Sequence, residues 1–342
     1  MPEFMKAVDI HNGSGPATSL YLNPSTPLPT PGPSQVLVRI SAFGLNRMDL
    51  LQRKGSYPVP PQAPSTLGVE FSGTITALGP GPHPANLAVG TEVFGLAYGG
   101  AYAEYIAVSS KMVIPKPGYL SFVQAAGIPE TFITATQALH FILGVNSGNG
   151  DNGGKSILWH AGASGVSIAG IQLAKVAGIG AIYATAGSEE KCAFLEKELG
   201  VKRAVNYKRE DWVEVLMKET GGKGVDFIVD FVGGEYFAKN LEVVARDGRV
   251  CMLGLMGGNV IEKVDIGKLL YKRVRVEGST LRSRDEEYQG RLRDKLEDNL
   301  ARFESGELKV FVDTVFPWNE IVKAHQLLEE NKTMGKIICT VD

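Results

Sequence analysis

The chain has 342 residues, enough for two domains with a sizeable core. With 44% hydrophobic and 21% charged residues and a formal charge of −2, it reads as an ordinary globular protein with no global field for nucleic acid or anionic membranes. Its apolar runs fall short of the ~20 residues that span a bilayer, and MPEFMKAVDI carries no charged-then-apolar signal pattern, so a cytoplasmic protein is expected.

The first third is punctuated by Pro and Gly, with short alternating or β-branched runs between the breaks: QVLVRISAFG, FSGTITALG, TEVFGLA and AYAEYIAV. This pattern predicts an irregular, mostly β domain. Near Leu120 the character changes, and FVQAAGIPETFITATQALHFIL reads as helical with Pro129 set to break or kink it. GVNSGNGDNGGK, 144–155, reads as a flexible polar loop. From Lys155 strand-like and helical segments alternate. SILWHA precedes VSIAGIQLAKVAG, AIYATA precedes SEEKCAFLEKELG, and RAVNY precedes EDWVEVLMKET. VDFIVDFVG precedes EYFAKNLEVVA, RVCMLGL precedes VDIGKLLY, and RVRVEGSTL closes the series. Such alternation predicts a doubly wound parallel sheet, and with it an α/β fold.

The tail from Arg282 predicts one or two charged amphipathic helices, then a strand, a helix and a final strand. The run RSRDEEYQGRLRDKLED reads as a solvated helix face. The alternation is complete near Leu281, so the tail is expected to return to the first domain. The expected boundaries are 1–131, 132–281 and 282–342. Cys192, Cys251 and Cys339 lie far apart, with no C-x-x-C and no His pair at ligand spacing. That excludes a disulfide framework or a structural zinc lobe and leaves three reduced, buried thiols.

The stretch WHAGASGVSIAG, 159–170, follows a strand and opens a helix, the context in which a glycine-rich turn cradles a pyrophosphate. Gly162 is expected to supply the sharp turn and Ser164 a small residue that lets backbone approach phosphate. Ser167 stands at the third position, where helix and strand pack closely. Gly165 and Val166 begin the helix and offer backbone N–H groups. An ordinary connecting turn is the competing reading.

In NAD enzymes a carboxylate about 20 residues on, at the end of the second strand, bonds the ribose 2′-hydroxyl. Here AIYATA runs into Gly187 and Ser188, with no carboxylate at the tip. Lys191 follows one helical turn later and can face the same anion, while Tyr207, after the third strand, can stack on adenine or bond the phosphate. NADPH is therefore expected over NADH. Glu189 and Glu190 are expected to point to solvent, and a solvated Lys191 is the bland alternative.

Together the stretches GLNRMDLLQRKGSYP, LGVEFSGTI, AAGIPETFITATQAL, HAGASGV, TAGSEEK, VNYK, LGLMGG and STLRSRD resemble the zinc-free quinone oxidoreductase branch of the medium-chain dehydrogenases/reductases over nearly the whole length. The resemblance implies a GroES-like first domain rejoined by the tail, a Rossmann domain between, the cofactor in the cleft, and a homodimer. Zinc-containing relatives carry a Cys ligand just after the strand that here reads ISAFG, and a His before Glu in the next segment. This chain has Leu45-Asn46 and Gly68-Val69-Glu70 at those places.

By the same likeness Asn46 and Tyr57 lie near the nicotinamide, with Tyr57 placed to orient substrate or donate a hydrogen bond. Thr134 is placed to bond the nicotinamide ribose or carboxamide. Leu253, Gly254, Leu255 and Met256 follow the fifth strand, and Ser279, Thr280 and Leu281 end the sixth, at the sheet's carboxyl edge. Cap, packing and strand-end roles compete for each of these. His140 and His160 are expected to be structural, and His11, His83 and His325 to be isolated. A quinone or enone is already electrophilic, so hydride transfer to it needs no metal. The leading expectation is an NADPH-dependent quinone reductase with a small-molecule substrate. The alternatives are an enoyl-thioester or alkenal reductase, or a low-turnover NADPH-binding structural or RNA-associated protein. No basic patch with interleaved aromatics supports RNA as a partner.

Overall fold

A computed structural model describes residues 2–146 and 152–342. The polar loop expected over 144–155 lies in part outside the described residues. The chain divides into two compact units, residues up to Ile133 with Arg282–Asp342, and Thr134–Leu281.

The first unit opens with an antiparallel ribbon, β1 (Phe4–Ile10) with β2 (Leu20–Pro27). β3 (Gln35–Gly44) leads through α1 (Arg47–Arg53) to β4 (Glu70–Leu78), β5 (Glu92–Leu96), β6 (Tyr105–Ser109) and β7 (Val113–Pro115). α2 (Phe122–Ala126) stops short of Pro129, which begins α3 (Pro129–Thr136), so the proline divides the helical stretch as its missing N–H dictates. A turn of π-helix, Gln137–Ile142, continues from α3.

The second unit alternates strand and helix. β8 (Ser156–Trp159), α4 (Gly165–Val176), β9 (Ala181–Ala186), α5 (Glu189–Lys197) and β10 (Arg203–Asn206) form its first half. α6 (Trp212–Glu219), β11 (Val225–Asp230), α7 (Glu235–Val243), β12 (Val244–Met252), α8 (Gly267–Lys272) and β13 (Arg275–Gly278) form the second. All pairs are parallel, in the order β10-β9-β8-β11-β12-β13. This is the doubly wound sheet expected from the alternation, with its chain reversal between β8 and β11. Tyr183, Leu158, Ile228 and Val250 lie in register across four strands and pack with Trp212 and Leu216 of α6. The α7 helix ends two residues earlier than its sequence suggests, because Val244 already pairs with Val225.

The tail supplies α9 (Glu286–Glu297), α10 (Leu300–Glu304), β14 (Val312–Pro317), α11 (Ile321–Glu329) and β15 (Lys336–Thr340). β15 inserts between β14 and β3 in a seven-stranded sheet ordered β14-β15-β3-β4-β5-β7, with β6 also on β3. β3 is buried on both faces over Val36, Leu37 and Val38, while Arg39 is exposed. Its pairing with β15 brings the start of that strand beside Gly44 and Leu45, where Leu45 N–H donates to the Ile337 carbonyl at 3.0 Å. Among the described residues no helix is long and apolar enough to cross a membrane.

Candidate active site

In the second unit the turn after β8 is built as a small-residue bend, with the work divided differently from the sequence reading. The left-handed residue is Ala161, φ 48°, not Gly162. Gly162 is required for another reason: a Cβ there would lie 2.8 Å from the Ala184 methyl and 2.9 Å from Leu195, so the turn can press onto β9 and α5. Its N–H donates to the Thr185 carbonyl at 2.8 Å. Ser164 is the N-cap of α4 and accepts from the Ser167 N–H at 3.3 Å. The fully buried Ser167 hydroxyl donates to the His160 carbonyl at 2.9 Å, so it ties the turn to β8. Close helix-to-strand packing falls instead to Gly170, where a Cβ would run into the Trp159 ring. Gly165 and Val166 open the helix with N–H groups that precede any intrahelical acceptor, an anion-binding geometry.

A buried polar chain fixes this turn from behind. Asp230 accepts from the N–H groups of Val232 and Gly233 at 2.7 and 3.1 Å and from Asn240 Nδ2 at 2.9 Å. Asn240 Oδ1 lies 2.8 Å from His160 Nε2, and His160 Nδ1 lies 3.0 Å from Thr185 Oγ1. Burial lowers the His160 pKa, which keeps the ring neutral. Because Asn240 presents its oxygen, Nε2 is the protonated nitrogen and Nδ1 accepts from Thr185. The structural role expected for His160 is the one its bonds describe.

At the end of β9 the structure brings Gly187, Ser188, Lys191 and Tyr207 together. Ser188 caps α5 by accepting from the Lys191 N–H at 3.3 Å. Tyr207 is exposed, donates its N–H to the Ala186 carbonyl at 3.1 Å, and lies so near Gly187 that a Cβ there would be 2.7 Å from its hydroxyl. Glu189 does not simply face solvent: it accepts from Nδ2 of the buried Asn206 at 2.7 Å and lies 3.6 Å from Arg209. Asn206 lies across from Ala186 in the parallel pairing, so this carboxylate is held at the same strand ends, engaged by an amide and facing a guanidinium. Lys208, passed over in the sequence, stands on the same edge: its Cε is 3.6 Å from that Gly187 position.

The remaining carboxyl ends are laced to one another. Leu253 N–H donates to Asp230 O at 2.8 Å, and Met256 N–H to Phe231 O at 3.2 Å. A Cβ on Gly254 would sit 2.8 Å from the Phe231 carbonyl. Leu255 and Met256 are exposed. Ser279 N–H donates to Met252 O at 3.0 Å, Thr280 O accepts from Gln137 Nε2 at 3.4 Å, and Leu281 and Thr134 are buried.

Asn46 and Tyr57 belong to the first unit. Asn46 N-caps α1, and its side chain is pinned at both ends: Nδ2 donates to Glu70 Oε1 at 2.9 Å, and Oδ1 accepts from Lys336 Nζ at 2.8 Å. Lys336 also donates to the Leu45 carbonyl and pairs with Glu70 Oε1, both at 2.6 Å, so its three ammonium hydrogens are all used. Gly44 makes room for the Glu70 carboxylate, which a Cβ there would meet. Glu70 Oε2 accepts the Glu130 N–H at 2.9 Å. Asp49 Oδ2 accepts from Asn46 N–H at 2.8 Å and Tyr102 O–H at 3.0 Å.

Tyr57 is half-buried beneath the Arg282 guanidinium, 5.3 Å from the ring centroid, and burial raises its phenol pKa. Arg282 is 3% exposed and donates to the Tyr98 carbonyl at 2.6 Å and Gln52 Oε1 at 2.7 Å. It therefore leaves the solvated run to which the sequence assigns it. His325 is not isolated either: it is buried against Arg53 at 3.0 Å, its pKa pushed down to about 3 by burial and that cation.

The sequence reading missed Asp49, Glu70, Glu130, Arg282 and Lys336. One signal was available for Glu70: a carboxylate inside the apolar run VEFSGTI demands a buried cation. Lys336→Met would leave that carboxylate enclosed without its cation, a loss of about 3–5 kcal/mol. The expected result is a lower denaturation midpoint, largely restored by adding Glu70→Gln. A single variant within about 1 kcal/mol of wild type would refute the dependence.

A family model described as "Zinc-binding dehydrogenase" matches residues 165–297, and one described as "Alcohol dehydrogenase GroES-like domain" matches 32–118. The chain is 29% identical to the human (Homo sapiens) "Quinone oxidoreductase" over 98% of both chains. Among solved structures it is similar to an NAD-dependent alcohol dehydrogenase, with 33% identity, TM-score 0.84 and coverage of 99% of this chain and 100% of that one. A mycobacterial protein complexed with NADPH shares 28% identity at TM-score 0.83, covering 98% and 99%. CurK enoyl reductase shares 29% at TM-score 0.82, covering 99% of each. The first family model's name invites a test against zinc. The residues at Asn46 and Val69 offer an amide and an alkyl group in place of thiolate and imidazole, and the neighbouring Glu70 carboxylate is already held by an ammonium. That donor set does not fit the metal. With a GroES-like domain, a doubly wound nucleotide-binding sheet and full-length likeness to quinone oxidoreductases, the chain belongs to the medium-chain dehydrogenase/reductase superfamily.

Proposed function

We propose that the protein is an NADPH-dependent oxidoreductase that reduces a quinone or related conjugated carbonyl without a metal. The observation that carries this reading is the tip of β9, where Ala186, Gly187 and Ser188 carry no carboxylate, Glu189 is engaged by Asn206 and Arg209, and Ser188, Lys191 and Tyr207 lie close in the chain fold. When bound, the reduced nicotinamide supplies a hydride. The chain's own residues bind, orient and exclude water. The N–H groups of Gly165 and Val166, next to Gly162 and Ser164, take the pyrophosphate. Ser188 and Lys191, with Lys208, take the 2′-phosphate, and Tyr207 covers the adenine. Thr134, Leu253–Met256 and Ser279–Leu281 hold the nicotinamide end. Tyr57 donates a hydrogen bond to the substrate carbonyl. Asn46, pinned by Lys336 and Glu70, keeps one Nδ2 hydrogen for cofactor or substrate.

Likeness to CurK enoyl reductase supports a second reading, reduction of an enoyl thioester, in which Tyr57 is the proton donor. NADPH oxidation measured side by side with an ortho-quinone and a crotonyl thioester separates the two. The expected outcome is turnover with quinone at least about tenfold faster in kcat/KM, a transition-state difference of about 1.4 kcal/mol. The reverse order favours the thioester, and no turnover with either leaves a cofactor-holding protein.

Titration with each cofactor tests the nucleotide assignment. NADPH should bind more tightly than NADH, and Lys191→Ala should weaken NADPH about tenfold, about 1.4 kcal/mol, while leaving NADH unchanged. Equal wild-type affinities would sink the NADPH assignment.

The three buried free thiols support a reducing, cytoplasmic setting. A homodimer is supported by β13, an edge strand with one side unpaired, and by Ile266, Leu270 and Tyr271 just before it, 66%, 73% and 75% exposed. Light scattering should give two chains per particle, and Leu270→Asp should shift the population to one. A monomeric wild type would refute the pairing.

A further inference from the structure

Tyr57 stands in the connection between α1 and β4, residues 54–69, where neither helix nor strand fixes the backbone. A side chain on such a segment is aimed by what it touches. Its ring lies under the Arg282 guanidinium, whose central carbon is 5.3 Å from the ring centroid.

Arg282 is itself held in place. Nε donates to the Tyr98 carbonyl, just after β5, at 2.6 Å, and Nη1 donates to Gln52 Oε1 of α1 at 2.7 Å. Gln52 Nε2 reaches on to the Ser65 carbonyl at 3.3 Å, in the same connection that carries Tyr57. One planar fork thus ties the helix before this connection to the strand end beside it, with its face toward Tyr57.

The charge of Arg282 is placed at a cost. It is 3% exposed, its two acceptors are neutral oxygens, and among the described residues it forms no ion pair and its buried Nη2 has no hydrogen-bond partner. A cation enclosed in that way is less stable than an apolar side chain of similar volume. What it faces is the Tyr57 ring, whose negative π-face attracts it. The charged groups acting on the phenol are Glu130 from α3, Arg282 from the segment before α9, and Asp49 from α1. Burial raises the phenol most, the two carboxyls add to that, and Arg282 opposes them. A guanidinium carries hydrogens and no acceptor, so it favours the phenol as a donor without taking up its hydrogen.

We propose that Arg282 is a positioning residue for carbonyl reduction, whose guanidinium fixes the Tyr57 ring and keeps its hydroxyl a strong donor toward the substrate oxygen. This rests on the reading above, in which Tyr57 donates to that oxygen. Negative charge gathers on the oxygen as hydride arrives, and Tyr57 meets it with a hydrogen bond. A cation fixed over a half-buried ring strengthens that bond, and a ring free to turn forfeits it.

The test is a double-mutant cycle in ortho-quinone reduction with NADPH, using Arg282→Met, Tyr57→Phe and the two combined. Tyr57→Phe keeps the ring beneath the guanidinium and removes the hydroxyl. Arg282→Met should lower kcat about tenfold when Tyr57 is present and less than about twofold in the Tyr57→Phe background, with KM for NADPH within about twofold throughout. Arg282→Lys keeps a cation without the planar fork, and should lose about threefold with Tyr57 present and less than about twofold in the Tyr57→Phe background. If the circular dichroism spectrum shows Arg282→Met unfolded, Arg282→Lys carries the same comparison. Equal losses in both backgrounds are what a merely structural arginine would give, and would overturn the positioning role while leaving the proposed function standing. Wild-type kcat in Tyr57→Phe would remove Tyr57 from the chemistry and this inference with it. No quinone turnover by the wild type would overturn the proposed function itself, and the inference that rests on it.

Discussion

The buried pair between Lys336 and Glu70 is the contact on which the first unit depends. It joins the first residue of β15 to the first residue of β4, at 2.6 Å, with both side chains almost fully enclosed. A salt bridge placed this deep gains little over a well-packed apolar pair, but losing either partner alone is severe. The pair therefore acts more as a register key than as a source of stability. It holds Asn46 in one orientation, fixes the backbone at Leu45, and sets the charge balance that Asp49, Glu130 and Arg282 share.

The second unit solves a different problem. Its turn is made of small residues, and a polar chain braces it from behind. Thr185, His160, Asn240 and Asp230 link three adjacent strand ends and one helix through hydrogen bonds that leave no charge exposed at the turn. The helix amides of Gly165 and Val166 then provide a fixed electropositive surface without any cationic side chain in the turn. The two units thus differ in their polar interiors: neutral backbone dipoles at the turn of one, and a cluster of buried charges in the other.

The alternation from Lys155 to Leu281 was legible because each helix and strand carries its own period, and a parallel sheet hides its strands as apolar runs. The family likeness was equally legible, since its motifs recur throughout the chain. The division of labour inside the turn was not. An alanine in the left-handed region leaves no mark in sequence, and Gly170 reads as a helix residue until the Trp159 ring is seen beneath it. Arg282 looked solvated because it begins a charged run, and nothing in GKIICTV singles out Lys336. Both are buried by partners distant along the chain, which local pattern does not encode.

Because β15 lies beside β3, the seven-stranded sheet cannot close until residues 336–340 have left the ribosome. The parallel-sheet unit is contiguous from Thr134 to Leu281 and emerges complete before then. Synthesis thus inverts the usual N-to-C order of domain maturation: the middle of the chain is ready first, while β3 and β4 wait with an unmatched glutamate and open edges.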